Sequence, residues 1–345
     1  MNIKQLLGIS LPIIQAPMAG VQGSALAIAV CEAGGLGSLP CATLSPDKMR
    51  AEINAIKAAT AKPFNVNFFC HALPTKNEET ENRWRQTLIP FYEELGLDPS
   101  MIKASPERRP FDAHAAELVE ELRPAVVSFH FGLPDANLLR RVRNSGAKIL
   151  ASATTVEEAR WLEARGVDAI IAQGLEAGGH RGMFLTNDAT TQIGTVALVR
   201  HLIAAVKLPV IAAGGIADAE GVAAALALGA AGAQVGTAYL LCPEATTSES
   251  HRRALQSEDA RHTALTNLFS GRLARGIVNR LMRELGPTSE LAPDFPLAST
   301  ALQPLRERAE ATGRGDFSPL WSGQNANGCL PIPAGDLTRR LATKV

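Results

Sequence analysis

Short apolar runs alternate along the chain with longer amphipathic segments. Eight such runs occupy residues 12–15, 35–39, 64–68, 125–129, 148–151, 169–172, 209–213 and 232–235. Each has four or five residues, strand length rather than helix length. Most are apolar at nearly every position, as parallel strands buried on both faces require. The segments between them read as helices. Residues 157–165 set Ala159, Leu162 and Ala164 among charges, and the alanine-rich 217–228 carries a cap signal at Asp218. Strand and helix in alternation imply βαβ units with right-handed crossovers, and eight such units predict a closed (β/α)8 TIM barrel. A doubly wound open sheet competes with it, because eight short runs do not by themselves close a cylinder.

Two regions break the rhythm. Residues 71–122 are rich in charge and proline, with Lys76, Asn77, Glu78 and Glu79 followed by Pro106 and Pro110, and are too long for one crossover. They predict an inserted helical lid or long loop. Residues 243–345 show no strong strand pattern, carry charged stretches such as 249–259, and end rich in proline and glycine. The division read from this is a barrel over 1–245, interrupted at 71–122, and a mostly helical C-terminal cap over 246–345. The 345 residues suit it, since one barrel takes about 250.

Composition then removes function classes. Lys and Arg together number 34, as do Asp and Glu, so the formal charge is zero. A nucleic-acid surface needs a basic stripe and is not expected. The five cysteines show no paired spacing, which fits reduced thiols. No leader peptide and no run of about 18 apolar residues is seen, so the expectation is a cytoplasmic protein without a membrane partner. A homo-oligomer is left open.

The candidate chemistry sits at the C-terminal ends of the runs, where barrels of this kind place their sites. Gly214 and Gly215 follow the seventh run, and Gln234, Val235, Gly236 and Thr237 close the eighth. Glycines let backbone N–H groups approach a phosphate, Thr237 adds a hydroxyl, and the next helix adds its positive end. After the sixth run comes Gln173-Gly174-Leu175-Glu176-Ala177-Gly178-Gly179-His180-Arg181-Gly182. So much glycine makes a loop able to lie against a flat ring. His180 in that loop is the candidate base, since imidazole titrates near working pH. His130, ending the fourth run, is a candidate pocket residue, and His71 a weaker one. His114, His201, His251 and His262 read as surface residues. No metal-ligand spacing, nucleophile elbow or dinucleotide fingerprint is present.

These pieces resemble the nitronate monooxygenases. The resemblance is carried by Gln15-Ala16-Pro17-Met18-Ala19-Gly20, Asn65-Val66-Asn67, the stretch 128–134, 173–182, Ala213-Gly214-Gly215 and 234–237, and reaches the tail at 270–276 and 320–324. It implies non-covalent FMN held by Met18, Asn67, Gln173, Gly178, Gly179, Gly214, Gly215, Gln234, Val235, Gly236 and Thr237. It implies His180 as the catalytic histidine, and oxidation of alkyl nitronates by O2 to carbonyl compounds and nitrite. Neutral nitroalkanes would first lose an α-proton to that histidine. NAD(P)H-dependent flavin reductases of quinones or enoyl thioesters share the outline and stand as the alternative, with a non-catalytic flavin-binding protein behind them.

Overall fold

The computed structural model describes residues 2–75, 77–102 and 108–345; Lys76 and Pro106, part of the signal for the insertion, lie outside them. All eight runs are strands, displaced by no more than two residues at their ends. They are β1 (Ile13–Gln15), β2 (Gly37–Pro40), β3 (Phe64–Phe69), β4 (Val126–His130), β5 (Lys148–Ala153), β6 (Ala169–Gln173), β8 (Val210–Ala213) and β9 (Gly232–Val235), with β7 (Gly179–His180) belonging elsewhere. They pair in the order β1-β9-β8-β6-β5-β4-β3-β2, every pair parallel. A parallel bridge between Ile14 and Leu36 joins the two ends, with Gln15 N–H donating to the Leu36 carbonyl at 2.9 Å. The sheet is thus a (β/α)8 barrel rather than an open one.

Helix starts follow local chemistry. Ser45, Asp112, Thr155 and Asp218 each accept a hydrogen bond from the backbone N–H three residues ahead. That satisfies a donor the helix itself leaves free. The Asp218 cap explains why the predicted helix over 217–228 is shorter, Ala219–Ala227, since a capping residue is extended and Ala217 lies before it.

β10 (Thr263–Thr266) and β11 (Ala274–Ile277) form an antiparallel pair, and β11 also pairs with β7, aligning Ala274 with His180 and Arg275 with Gly179. Neither was read from the sequence, because each is four residues long and mixes polar with apolar positions. The rest of the C-terminal segment holds the helices Glu249–Gln256, Arg280–Leu285, Ala298–Ala311 and Ala334–Leu341. Within the insertion, helix Glu78–Glu94 packs on Ala298–Ala311, with Trp84 Nε1 donating to the Ala298 carbonyl at 3.1 Å and Tyr92 Oη to that of Ala301 at 2.6 Å. Helix Ala113–Leu122 instead joins the main core around the barrel. The last helix also returns to the barrel, burying Leu337 and Leu341 beside Leu26 and Val30. No helix among the described residues is long and apolar enough to cross a membrane.

Trp84 is the largest side chain joining the insertion to the tail, and it is 1% exposed. Trp84→Ala should lower unfolding stability by about 3–5 kcal/mol, the usual range for emptying such a site. Urea unfolding followed by circular dichroism measures it. A loss under about 1 kcal/mol would mean that this packing does not hold the insertion.

Candidate active site

Along a barrel strand every second side chain points inward. Leu36, Val126, Leu150 and Ile171 lie together in an apolar plug with Ile14 and Ile211. Two residues further along their strands stand Ser38, Ser128, Ser152 and Gln173. The barrel interior thus changes from a dry plug to a polar floor in one step. Asn65 Nδ2 donates to Ser38 Oγ at 3.0 Å and to Ser128 Oγ at 2.9 Å, and Asn67 Nδ2 reaches Ser128 Oγ at 3.0 Å, while Asn65 Oδ1 is buried without a partner among the described residues. Strand register places Gln173 beside Ala213 and Ala213 beside Gln234. The carboxamide oxygen of Gln234 is buried with no hydrogen-bond partner among the described residues. A buried acceptor left unmatched is costly, so a donor from a bound group fits there.

Next to this row the chain turns at Gly214 and Gly215, whose φ values are +124° and +72°. Such values favour glycine and leave backbone N–H groups free to converge on an anion. The turn is braced by Glu176. Its carboxylate accepts from Thr195 N–H at 2.8 Å and from Thr195 Oγ1 at 2.7 Å, and so caps helix Thr195–Ala205, whose own N-cap Gly194 has no side chain to do it. Thr195 Oγ1 is also 3.0 Å from the Gly214 carbonyl. From the far end of the chain a short strap crosses the same place. Gly323 N–H donates to Thr237 Oγ1 at 2.9 Å, Gln324 N–H to the Glu176 carbonyl at 2.9 Å, and Asn325 Nδ2 to the Gly215 carbonyl at 3.0 Å. Thr237 keeps its own proton for another acceptor. A Cβ on Gly178 would lie 2.5 Å from Gly323 N, so the strap and the histidine loop can close together only over a glycine. Gly236 has Ala16 and Met18 against it. Val235 points its side chain into the core and offers only backbone.

The loop from Gln173 to Gly182 is held from below. Gln173 Nε2 donates to the His180 carbonyl at 2.9 Å, and its Oε1 accepts from Gly182 N–H at 2.7 Å. Gln173 therefore spends most of its amide on the loop. His130 Nε2 lies 3.1 Å from the same His180 carbonyl, and its Nδ1 3.0 Å from Ser152 Oγ. With the carbonyl as acceptor, Nε2 must carry the proton and Nδ1 must accept from the serine. Burial pushes the His130 pKa down to about 4. His130 thus shapes the loop as a neutral ring with both nitrogens occupied. Arg181 is fully buried and donates to the carbonyls of Gly174 and Gln173, each at 2.8 Å, and to Gln192 Oε1 at 3.0 Å. Burial, then the charge of Arg275, lowers its pKa to about 10.

The His180 ring is boxed by aromatic rings, with centroids 5.2 Å to Phe295, 5.5 Å to Trp321, 6.1 Å to Phe131 and 6.3 Å to Phe69. Its Nε2 is 2.8 Å from Ser270 Oγ. Arg272 stacks on Phe131 at 4.1 Å and Arg108 lies over Phe295 at 5.8 Å. Neither guanidinium pairs with a carboxylate of the described residues, and Arg272 Nε is buried without a partner. Burial first, then Arg108, His130, Arg272 and His71, hold the His180 imidazole well below its ordinary pKa. The site is a neutral imidazole inside a positive field, suited to taking a proton and to holding an anion.

Several of these residues had no role in the sequence reading. Ser270, Arg272 and Trp321 lay in matching stretches, but nothing local tied them to His180. Arg108 carried no signal at all. His71 is buried against the Arg108 carbonyl at 3.0 Å. His251, expected on the surface, is 4% exposed, because its helix buries the face that carries Ser250, His251 and Leu255. No group of metal-binding side chains is found among the described residues.

Comparison with known proteins places the chain among relatives. The family model "Nitronate monooxygenase" matches residues 1–344. A nitronate monooxygenase of Paraburkholderia phytofirmans is 47% identical over 340 residues, covering 97% of this chain and 92% of its own. One of Pseudomonas aeruginosa is 44% identical, covering 99% and 98%. Among solved structures, the nitroalkane oxidase of Streptomyces ansochromogenes is 39% identical and superimposes with a TM-score of 0.89, covering 99% of this chain and 97% of that one. A match spanning nearly the whole chain, with relatives this similar over nearly their full lengths, places the protein in the nitronate monooxygenase family of oxidoreductases.

Proposed function

We propose that the protein is an FMN-dependent enzyme that oxidises alkyl nitronates, and neutral nitroalkanes through them, with O2 to carbonyl compounds and nitrite. The observation that carries this is His180, held neutral in an aromatic box beside two arginines without carboxylate partners among the described residues. Arg272 and Arg108 attract the nitronate anion and favour its formation from the neutral nitroalkane. Phe69, Phe131, Phe295 and Trp321 exclude water and suit a small alkyl group. His180 takes the α-proton where one must be removed.

A flavin fits the floor beside it. Gln234 Oε1 and Asn65 Oδ1 supply buried acceptors in need of donors among the described residues, and Gly179, where an added Cβ would meet nothing within 4 Å, a bulk-free surface. Gly214, Gly215 and Thr237 suit a single phosphate, which favours FMN over FAD. The flavin would supply the electron transfer between nitronate and O2. Residues 246–345 act as a cap over the 1–245 barrel on this reading, supported by Arg272, Phe295 and Trp321 standing at His180. The protein works in the cytoplasm on this reading.

Acid or heat should release FMN from the purified, yellow protein. Gly215→Asp should lose most of it, since a carboxylate adds bulk and like charge against the phosphate. Thr237→Ala should weaken FMN binding by only about 0.5–3 kcal/mol. Fluorescence titration of released and rebound flavin decides both, and full FMN occupancy in Gly215→Asp would move the phosphate elsewhere.

Anaerobic mixing separates the two chemistries. The flavin should be reduced by propionate-3-nitronate and should not respond to NADH. Rapid bleaching by NADH would favour a reductase instead.

His180→Asn should cut kcat/KM on neutral nitroalkanes by roughly 10²–10⁴-fold and on preformed nitronate much less, with flavin retained. Only the unprotonated imidazole is a base, and the His180 pKa is lowered. Activity on neutral nitroalkanes should therefore persist as pH falls below about 6.5 and fail only in more acid solution. Arg272→Met removes one of the lowering charges and should move that acid limb upward. Equal losses on both substrate forms in His180→Asn would make the histidine a binding group only.

A further inference from the structure

Ser270 stands 90 residues from His180 in sequence, yet its Oγ is 2.8 Å from His180 Nε2. It is 3% exposed and is held by the chain on both sides. β11 pairs with β7 directly after it, and Arg181 N–H donates to the Leu273 carbonyl at 2.8 Å. Gly271 N–H donates to the Asn267 carbonyl at 2.7 Å. Gly271 has φ +86°, and a Cβ there would lie 2.0 Å from the Pro293 carbonyl oxygen. The turn has little freedom to move, so the serine is fixed against the ring.

A serine hydroxyl has one proton to give and two lone pairs with which to accept. Around Ser270 Oγ stand three groups: His180 Nε2, the Arg272 carbonyl at 3.3 Å and the Arg272 N–H at 3.4 Å. The N–H can only donate and the carbonyl can only accept. The carbonyl has no other hydrogen bond among the described residues. Giving the serine proton to the imidazole would leave that carbonyl without a protein partner in a half-buried turn, at a cost. The arrangement that satisfies all three sends the hydroxyl proton to the Arg272 carbonyl. The hydroxyl then accepts from both N–H groups, so His180 Nε2 is protonated.

We infer that Ser270 is a positioning residue that fixes His180 as the Nε2–H tautomer, making Nδ1 the atom that receives the substrate's α-proton. Nδ1 has no hydrogen-bond partner among the described residues. As the C–H bond breaks, its electrons move into the C=N bond of the forming nitronate, and the proton adds to the Nδ1 lone pair. The imidazolium then keeps its Nε2–H on Ser270, which orients but exchanges no proton. The same hydroxyl ties the base to Arg272, so one turn sets both the base and the cation that faces the forming anion. The catalytic part rests on the nitroalkane reading above; the tautomer does not.

The test uses flavin-loaded protein with ¹⁵N-labelled histidine. The His180 signals, assigned by their loss in His180→Asn, should show a neutral ring protonated at Nε2 at pH 7. In Ser270→Ala they should move toward a mixture of the two tautomers. That variant should lose about 10–100-fold in kcat/KM on neutral nitroalkanes, a part of the roughly 10²–10⁴-fold worth of a general base, and under about threefold on preformed nitronate. Ser270→Thr keeps the hydroxyl and should recover most of the loss. A wild-type ring protonated at Nδ1 overturns the inference without any variant being needed. So do equal losses on the two substrate forms, or an unchanged ring signal in Ser270→Ala. If neither substrate is turned over by the wild type, the proposed reaction fails, and the ring signals still decide the tautomer.

Discussion

The site depends on one backbone carbonyl. The His180 C=O accepts from Gln173 Nε2 below it and from His130 Nε2 beside it, at 2.9 and 3.1 Å. A loop with four glycines among residues 174–182 has little stiffness of its own. These two bonds, with the Arg181 guanidinium holding the carbonyls of Gln173 and Gly174, replace the missing stiffness. The glycines can then serve close approach, at Gly178 against Gly323 most of all, without leaving the histidine free to wander.

Charge is arranged with the same economy. The chain as a whole carries no formal net charge, yet Arg108, Arg272, Arg181 and Arg275 are gathered around one histidine. Arg181 and Arg275 are spent on main-chain carbonyls. Arg108 and Arg272 lie on aromatic faces, which accept a cation without neutralising it. A positive field therefore survives at the mouth. Desolvation strengthens it, and it acts on whatever charge a substrate carries or develops there.

The remaining walls come from distant parts of the chain. β7 reaches out of the barrel to pair with β11, the turn at Ser270 meets His180, and the strap at 323–325 crosses Thr237, Glu176 and Gly215. Helix Ala334–Leu341 then returns to the barrel beside Leu26 and Val30. The tail is thus anchored at both ends, with Phe295 and Trp321 standing at the His180 ring between them.

The chain pattern by itself determined eight parallel strands alternating with helices, while closure into a barrel rather than an open sheet was decided by the parallel bridge between Ile14 and Leu36. Eight apolar runs of four or five residues leave parallel strands few other arrangements, and a strand's inward positions follow from a period of two. The glycines at 214, 215 and 236 stood out as candidates because each stands just past a strand end, and Gly178, Gly179 and His180 because they share the glycine-rich loop that leaves the sixth barrel strand. What tertiary structure decided was partnership. Gln173, read as a cofactor ligand, is largely taken up by the loop, and His130 is a clamp with both nitrogens engaged, because each found a carbonyl or hydroxyl on another strand. Ser270, Arg272, Arg108 and the strap could not be assigned beforehand, since hydrogen bonds and stacked charges between segments about 70 to 190 residues apart leave no periodicity in the sequence. Closure of the barrel and the β7–β11 pairing bring them together, and only then does the histidine have a tautomer, a field and a box.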